Sequence, residues 1–327
     1  MAAIEKIARF LGVGWFMIAI FVISIVGSLS NFAQGATPTK GKTEILTTFF
    51  PIYLFAKNIT AGIENINVDM LLPSGYGCPH DYAISPDDIK KIHQADIIIM
   101  NGLGMEEFLA KAWPSGASNA GFSKSHNAKT VVASDGLTPM RLRYYHEHEN
   151  SSTSAHEYNP HVFASPKQAD HMVKTITDSL VRFLPEFEKQ LNSNGEEYRR
   201  KLDALSRMFE VSLQGLKNPK IVTVHEVFDY MARDYGFDII DVIEKEPGEE
   251  PSAKELLSEI KEFRDNKIAA LFSEPQYSAR IVEVIGDELH LPVIKLDPVA
   301  QGPSDPPLDY YERIMIQNLN ALARAMK

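Results

Sequence analysis

The sequence predicts an α/β protein of two lobes, each a parallel sheet flanked by helices, with one long rigid helix joining them. Three observations carry this. Short apolar, β-branched runs alternate with helix-like stretches in the first half and again in the second, the pattern that sheets with helical crossovers require. The runs are apolar at successive positions, as in strands covered on both faces. Between the two series, residues 165–216 are helical in pattern and contain no strand-like run.

Taken in order, the chain opens with an export signal over residues 1–35. Lys6 and Arg9 form a basic start, the segment 10–29 is almost wholly apolar, and small residues around Gly35 suit cleavage there. An uncleaved anchor is the alternative, since 18–20 apolar residues can span a bilayer. The N-terminal lobe is expected over 36–190, with strands at 44–50, 66–72, 96–101 and 130–133. Ser85, Pro86, Asp87 and Asp88 supply an N-cap, a first-turn proline and first-turn acids for a helix over 86–95, and Ser165-Pro166 repeats that start. A break is expected at 192–194, within an Asn-Ser-Asn run, and the linking helix over 191–218. Its later part carries Leu202, Leu205, Met208, Phe209 and Leu213 at 3–4 spacing, one buried face. The C-terminal lobe follows over 219–327, with strands at 220–224, 237–243, 268–272 and 292–296 and a capping box of Ser252 and Glu255. One stretch, YYHEHENSSTSAHEYN over 144–159, has no regular pattern. It reads as a solvated loop, or as a tract that gathers metal through His146, His148 and His156.

The formal charge is −10, and removing 1–35 makes it more negative by one. That argues against nucleic acid and anionic lipid as partners. Cys78 is the single cysteine, so no intrachain disulfide can form. A monomer is expected.

Four loops deliver residues that can bind a metal: His80 in PSGYGCPHDY, His161 in YNPHVF, His225 in IVTVHEVFDY and Asp297 in PVIKLDP. Three imidazoles and a carboxylate form a tetrahedral Zn²⁺ shell. The spacings are too long for a zinc finger, so tertiary structure must assemble the site, in a cleft between the lobes. His80, His225 and Asp297 follow expected strands, where open α/β folds bind ligands. Each residue alone reads more readily as an ordinary loop residue; two in each half shift the reading to a metal. Glu274 is expected to hold a ligand imidazole from outside or to be structural. Cys78 could add a thiolate, but so tight a turn rarely lets it and His80 face one ion. His93 and His171 lie inside expected helices, as solvent-facing or capping residues, and His126 and His290 carry no signal.

The stretches TTFFPIYLFAKNITAG, LLPSGYGCPHDYAISPDD, ADIIIMNGLGMEEFL, NPHVFASP, VTVHEVFDYMARDYGF, EPSAKELLSEIK, FSEPQY and KLDP resemble the metal-specific solute-binding proteins of bacterial ABC importers, which take up zinc or manganese. The resemblance spans essentially the whole chain after residue 35. It implies a metal held in the cleft by His80 and His161 from one lobe and His225 and Asp297 from the other. It implies no enzymatic activity, a periplasmic location and a membrane permease as partner. A carboxylate at the third position goes with manganese in this family, so His225 indicates Zn²⁺ as the transported ion, with a manganese or iron receptor as the alternative. A secreted zinc hydrolase is the reading from another class, but it lacks an evident nucleophile, oxyanion loop or substrate-anchoring arginines.

Overall fold

The computed structural model describes residues 41–77, 79, 82–112, 128–143, 157–244 and 251–327. The expected export signal, Cys78, His80, His126 and the histidines at 146, 148 and 156 lie outside the described residues.

The eight expected strands form two four-stranded parallel sheets of the same plan. The first contains β1 (Thr43–Thr47), β2 (Ile66–Met70), β3 (Ile97–Met100) and β4 (Lys129–Val132) in the order β2-β1-β3-β4. The second contains β5 (Lys220–Thr223), β6 (Asp238–Val242), β7 (Ala270–Ser273) and β8 (Val293–Lys295) in the order β6-β5-β7-β8. Ile45 pairs with Ile97 in the first, and Ile221 with Ala270 in the second. β3 is buried along its whole length, which accounts for its unbroken apolar sequence IIIM.

The strand expected over 44–50 stops at Thr47. Phe50 instead opens helix α1 (Phe50–Ile59), with Pro51 in its first turn, where a missing N–H costs nothing. Helix α2 (Pro86–Gln94) has a reciprocal capping box: Ser85 N–H and Oγ both donate to Asp88, and Asp88 N–H donates to Ser85 Oγ. A short helix α3 (Glu107–Ala112) follows β3.

The spine is a pair of long helices, α4 (Pro166–Phe183) and α5 (Glu188–Ser212). The chain breaks at Leu184–Phe187, not at 192–194. Pro185 lacks an N–H and disfavours helical backbone in the residue before it, and Leu184 is indeed non-helical. Asn194 lies inside α5, where its amide donates to the carbonyls of Ile59 and Ala61 at 3.0 and 2.9 Å and so ties off the end of α1. Gly195 next to it lets α4 approach: a Cβ there would stand 2.5 Å from Thr177 Oγ1. The polar run that reads as a loop is thus a helix-packing device. At 25 residues α5 is about 37 Å long.

Helix α6 (Asp229–Tyr235) follows β5, α7 (Ala253–Asn266) carries the expected Ser252–Glu255 capping box, and α8 (Arg280–Leu289) leads into β8. Helix α9 (Tyr310–Met326) closes the chain. One continuous buried cluster runs from Ile45 in β1 through the spine to Tyr311, Leu319 and Met326 in α9. A second, smaller cluster lies beneath α7 and α8, with Val222, Phe263, Leu271 and Ile285.

Polar contacts add to this junction. Asp234 of α6 accepts from Ser165 Oγ (2.7 Å) and Gln168 Nε2 (2.6 Å) at the start of α4. Ser165 therefore spends its hydroxyl on α6 and makes no side-chain cap. Tyr311 donates to the Phe163 carbonyl at 2.8 Å. On the other side, Lys57 binds Asp305 at 2.6 Å and Gly302 N–H donates to the Ser74 carbonyl at 2.8 Å.

Candidate metal centre

The second sheet brings three acidic or imidazole side chains to one edge. His225, Glu274 and Asp297 each lie one or two residues beyond the carboxyl ends of β5, β7 and β8, which are neighbours in the sheet. That is where parallel sheets leave room for ligands.

His225 is 5 % exposed and Glu274 3 %. Glu274 Oε1 accepts the His225 backbone N–H at 3.2 Å, and Oε2 lies 2.8 Å from His225 Nδ1. Gln276 Nε2 donates to the same Oε2 at 2.8 Å. Nδ1 thus has a carboxylate neighbour, while Nε2 has no hydrogen-bond partner among the described residues. The edge of Tyr277 packs on the ring at 5.0 Å. Glu274 thus touches the His225 ring directly; Gln276 and Tyr277, both within the FSEPQY stretch, were given no role in the sequence reading.

Asp297 is part-buried, and its backbone is fixed from α9: Asn318 Oδ1 accepts its N–H at 3.0 Å and Asn318 Nδ2 donates to its carbonyl at 2.7 Å. Asp297 Oδ1 accepts from the N–H of Val299 at 2.8 Å. Val299 has φ +64°, a strained conformation for a β-branched residue, and lies fully buried beside the candidate ligand. Burial raises the Asp297 pKa above the usual carboxylate range; the Val299 N–H and Lys295 oppose this, and the charge of Glu274 adds to it. Two carboxylates close together in a part-buried setting favour a cation between them.

His161 comes from the other side. It is 3 % exposed and caps a short 3₁₀ turn, Val162–Ala164. Its ring meets that of His225 edge to face with centroids 5.2 Å apart. Asn159, wholly buried, places Oδ1 2.9 Å from both the backbone nitrogen and Nδ1 of His161. Asn101, beyond the end of β3, donates to the Pro160 carbonyl at 2.9 Å. Asn101 N–H and Gly102 N–H are held in turn by Glu106, which also accepts from Thr48. Burial pushes the Glu106 carboxyl up to about 7 despite those donors.

The structure therefore brings His161 and His225 together and sets Asp297 two strands from His225 at the same end of the sheet; His80 lies outside the described residues. Among the described residues, no three His, Cys, Asp or Glu side chains form a complete metal cluster. His171 is a half-buried helix residue whose Nε2 lies 2.9 Å from the Asp135 carbonyl, and His93 is exposed on its helix. The residue that sequence reasoning missed is Asn159. Its signal was the Asn-Pro-His order: an Asn side chain readily accepts the N–H two residues on.

A family model described as zinc-uptake complex component A, periplasmic (ZnuA) matches residues 45–325. The high-affinity zinc uptake system protein ZnuA of Bacillus subtilis (strain 168) is 29 % identical over 317 residues, covering 94 % of this chain and 96 % of the relative. The zinc-binding protein AdcA of Streptococcus pyogenes serotype M6 is 30 % identical over 292 residues, covering 86 % of this chain but 56 % of AdcA, so the chain spans little more than half of that relative. Among solved structures, the SBP FpvC from Pseudomonas aeruginosa in complex with Mn²⁺ has a TM-score of 0.72 at 25 % identity, covering 87 % of this chain and 98 % of FpvC. With the family model matching most of its length, the chain belongs to the ZnuA family of metal-binding solute-binding proteins of ABC uptake systems, a family of transport proteins and not of enzymes.

Proposed function

We propose that the chain captures Zn²⁺ outside the cytoplasm through His80, His161, His225 and Asp297 and passes it to the membrane permease of an ABC importer. The observation that carries this reading is His225: a buried ring whose Nε2 has no hydrogen-bond partner among the described residues, with Glu274 at its Nδ1 and the ring of His161 5.2 Å away. A buried polar atom without a partner costs about 1–3 kcal/mol, and a cation bound at that nitrogen removes the penalty. An imidazole rather than a carboxylate at 225 also favours a borderline-soft ion such as Zn²⁺ over the harder Mn²⁺. The zinc-uptake and zinc-binding names of two relatives agree with this choice.

Three neutral imidazoles and one carboxylate leave a net charge of about +1 on a bound Zn²⁺. Protons compete for the imidazoles, so affinity falls as pH drops through about 6.5. A manganese receptor is the second reading, favoured by the likeness to FpvC, whose structure holds Mn²⁺. The two are separated by metal content and competition on the chain purified without added metal, with H225E in parallel. One tightly bound Zn²⁺ per chain, lost in H161A and moved toward Mn²⁺ by H225E, supports the zinc reading. Preference of the wild type for Mn²⁺ when zinc is scarce transfers the function to the second reading, and no stoichiometric metal refutes both.

A further inference from the structure

We propose that Asn159 is a positioning residue for metal capture: it holds His161 in the Nδ1–H tautomer, leaving the Nε2 lone pair for the ion, and Asp229 fixes which way the Asn159 amide faces. The proposal rests on the reading of His161 as a ligand.

The amide orientation follows from its neighbours. Asn159 Oδ1 lies 2.9 Å from the His161 backbone N–H, which can only donate. Nδ2 lies 2.6 Å from the Glu226 carbonyl and 3.2 Å from Asp229 Oδ2, both of which can only accept with Asp229 ionised. Turning the amide over would set NH₂ against N–H and oxygen against two oxygens. The atom 2.9 Å from His161 Nδ1 is therefore an acceptor, and an acceptor there requires the ring to donate from Nδ1. A neutral imidazole protonated at Nδ1 carries its lone pair on Nε2, the form a metal binds.

The orienting groups are themselves held. Asp229 is buried, and its Oδ1 accepts from Arg143 Nε at 3.1 Å and Nη2 at 2.8 Å. Arg143 Nη1 donates onward to the Ile239 carbonyl at 2.7 Å. The Asn159 backbone is clamped too: its N–H donates to the Met140 carbonyl at 2.8 Å, and its carbonyl accepts from Tyr230 Oη at 2.7 Å. Every polar group of Asn159 is thus used, and Glu226, Asp229 and Tyr230 all belong to the segment after β5. An imidazole that precedes the spine in sequence is oriented by side chains that follow it. A turn-forming Asn alone would need only the His161 backbone N–H; the Nδ1 contact and the Asp229 lock are what a metal ligand requires.

The test is histidine nitrogen NMR on the metal-free full chain at about pH 8, above the ordinary imidazole range, with H161A to assign the signals and Zn²⁺ alone as the titrant. The wild type should show His161 as one Nδ1–H tautomer. N159L should give mixed tautomers and a zinc Kd weaker by about 10–100-fold. N159D keeps an acceptor at Nδ1 but sets oxygen against the Glu226 carbonyl and Asp229, so it should keep the Nδ1–H tautomer that N159L loses. An Nε2–H signal for His161 in the wild type overturns the proposal without reference to any variant's folding. Wild-type tautomer and Kd in a folded N159L overturn it as well. A wild-type Kd in H161A instead overturns the ligand reading on which the metal role of Asn159 rests, whatever the tautomer.

Discussion

The two sheets share a strand order and a parallel sense, yet they carry their candidate ligands in different ways. In the second sheet His225, Glu274 and Asp297 stand directly at the ends of three neighbouring strands, so backbone pairing alone sets their spacing. In the first half His161 stands on a turn outside the sheet, and its place depends on side chains: Asn159, with the groups of the second half that hold it, and Asn101. One side of the centre is a backbone platform and the other a side-chain assembly. The platform should tolerate loss of an outer partner while keeping its shape; the assembly should lose orientation with it.

The largest effect should come from the platform itself. H225A removes the imidazole that contacts both Glu274 and His161, and zinc affinity should fall by more than the roughly 100-fold that losing an outer partner causes. Competition against a chromogenic chelator measures it, and a milder loss would mean that His225 is peripheral. E274Q comes next. It leaves an acceptor for the His225 N–H but removes the charge beside Nδ1, so a fall of about 10–100-fold is expected with the fold intact by circular dichroism. An unchanged Kd would make Glu274 a structural residue only.

D297N separates binding from stability. Burial raises the Asp297 pKa, so in the metal-free protein this group favours folding below the ordinary carboxylate pKa and loses that contribution as pH rises through its folded value. At neutral pH the ionised group is a liability that a bound cation relieves. D297N should therefore weaken zinc binding and raise the metal-free Tm, since an amide can still accept from Val299. A lowered Tm with unchanged affinity would contradict the placement of Asp297 at a cation site.

Glu106 tests the first half. Its folded pKa of about 7 lies above the ordinary 4.5, so its contribution is complete below about 4.5 and is lost as pH rises through about 7. E106Q should cost about 1–3 kcal/mol by stranding a backbone N–H. The cost, measured by urea unfolding, should be larger near pH 5 than near pH 8. A pH-independent difference would mean that Glu106 is ionised throughout. The smallest effect is expected in overall shape. The core is continuous from Ile45 to Met326, and polar contacts join the halves on two sides, so removing metal should leave the radius of gyration by solution scattering unchanged within error. A clear expansion would show that the junction opens.

Much of the fold was legible because it follows local rules. All eight strands were readable as apolar runs between breakers, and both capping boxes stood in the sequence as Ser followed three residues on by Asp or Glu. The misreadings share one cause. Asn194 and Gly195 are breakers by local rules, but in α5 they serve neighbours distant in sequence, α1 and α4. Pro185, a few residues earlier, obeyed the local rule and broke the helix. Ser165 carries an N-cap signal but gives its hydroxyl to Asp234, 69 residues away.

The same division applies to the centre. The candidate donors could be read from the chain alone: which imidazoles and carboxylates follow strands, and that candidates occur in both halves. The two-sheet plan was legible there too, since periodicity and capping act over a few residues. Folding alone makes β5, β7 and β8 neighbours, sets His161 against His225, and puts Asn159 between His161 and groups of the second half. Strand order and side-chain hydrogen bonds join residues tens of positions apart, and no local pattern in the chain encodes which of them meet.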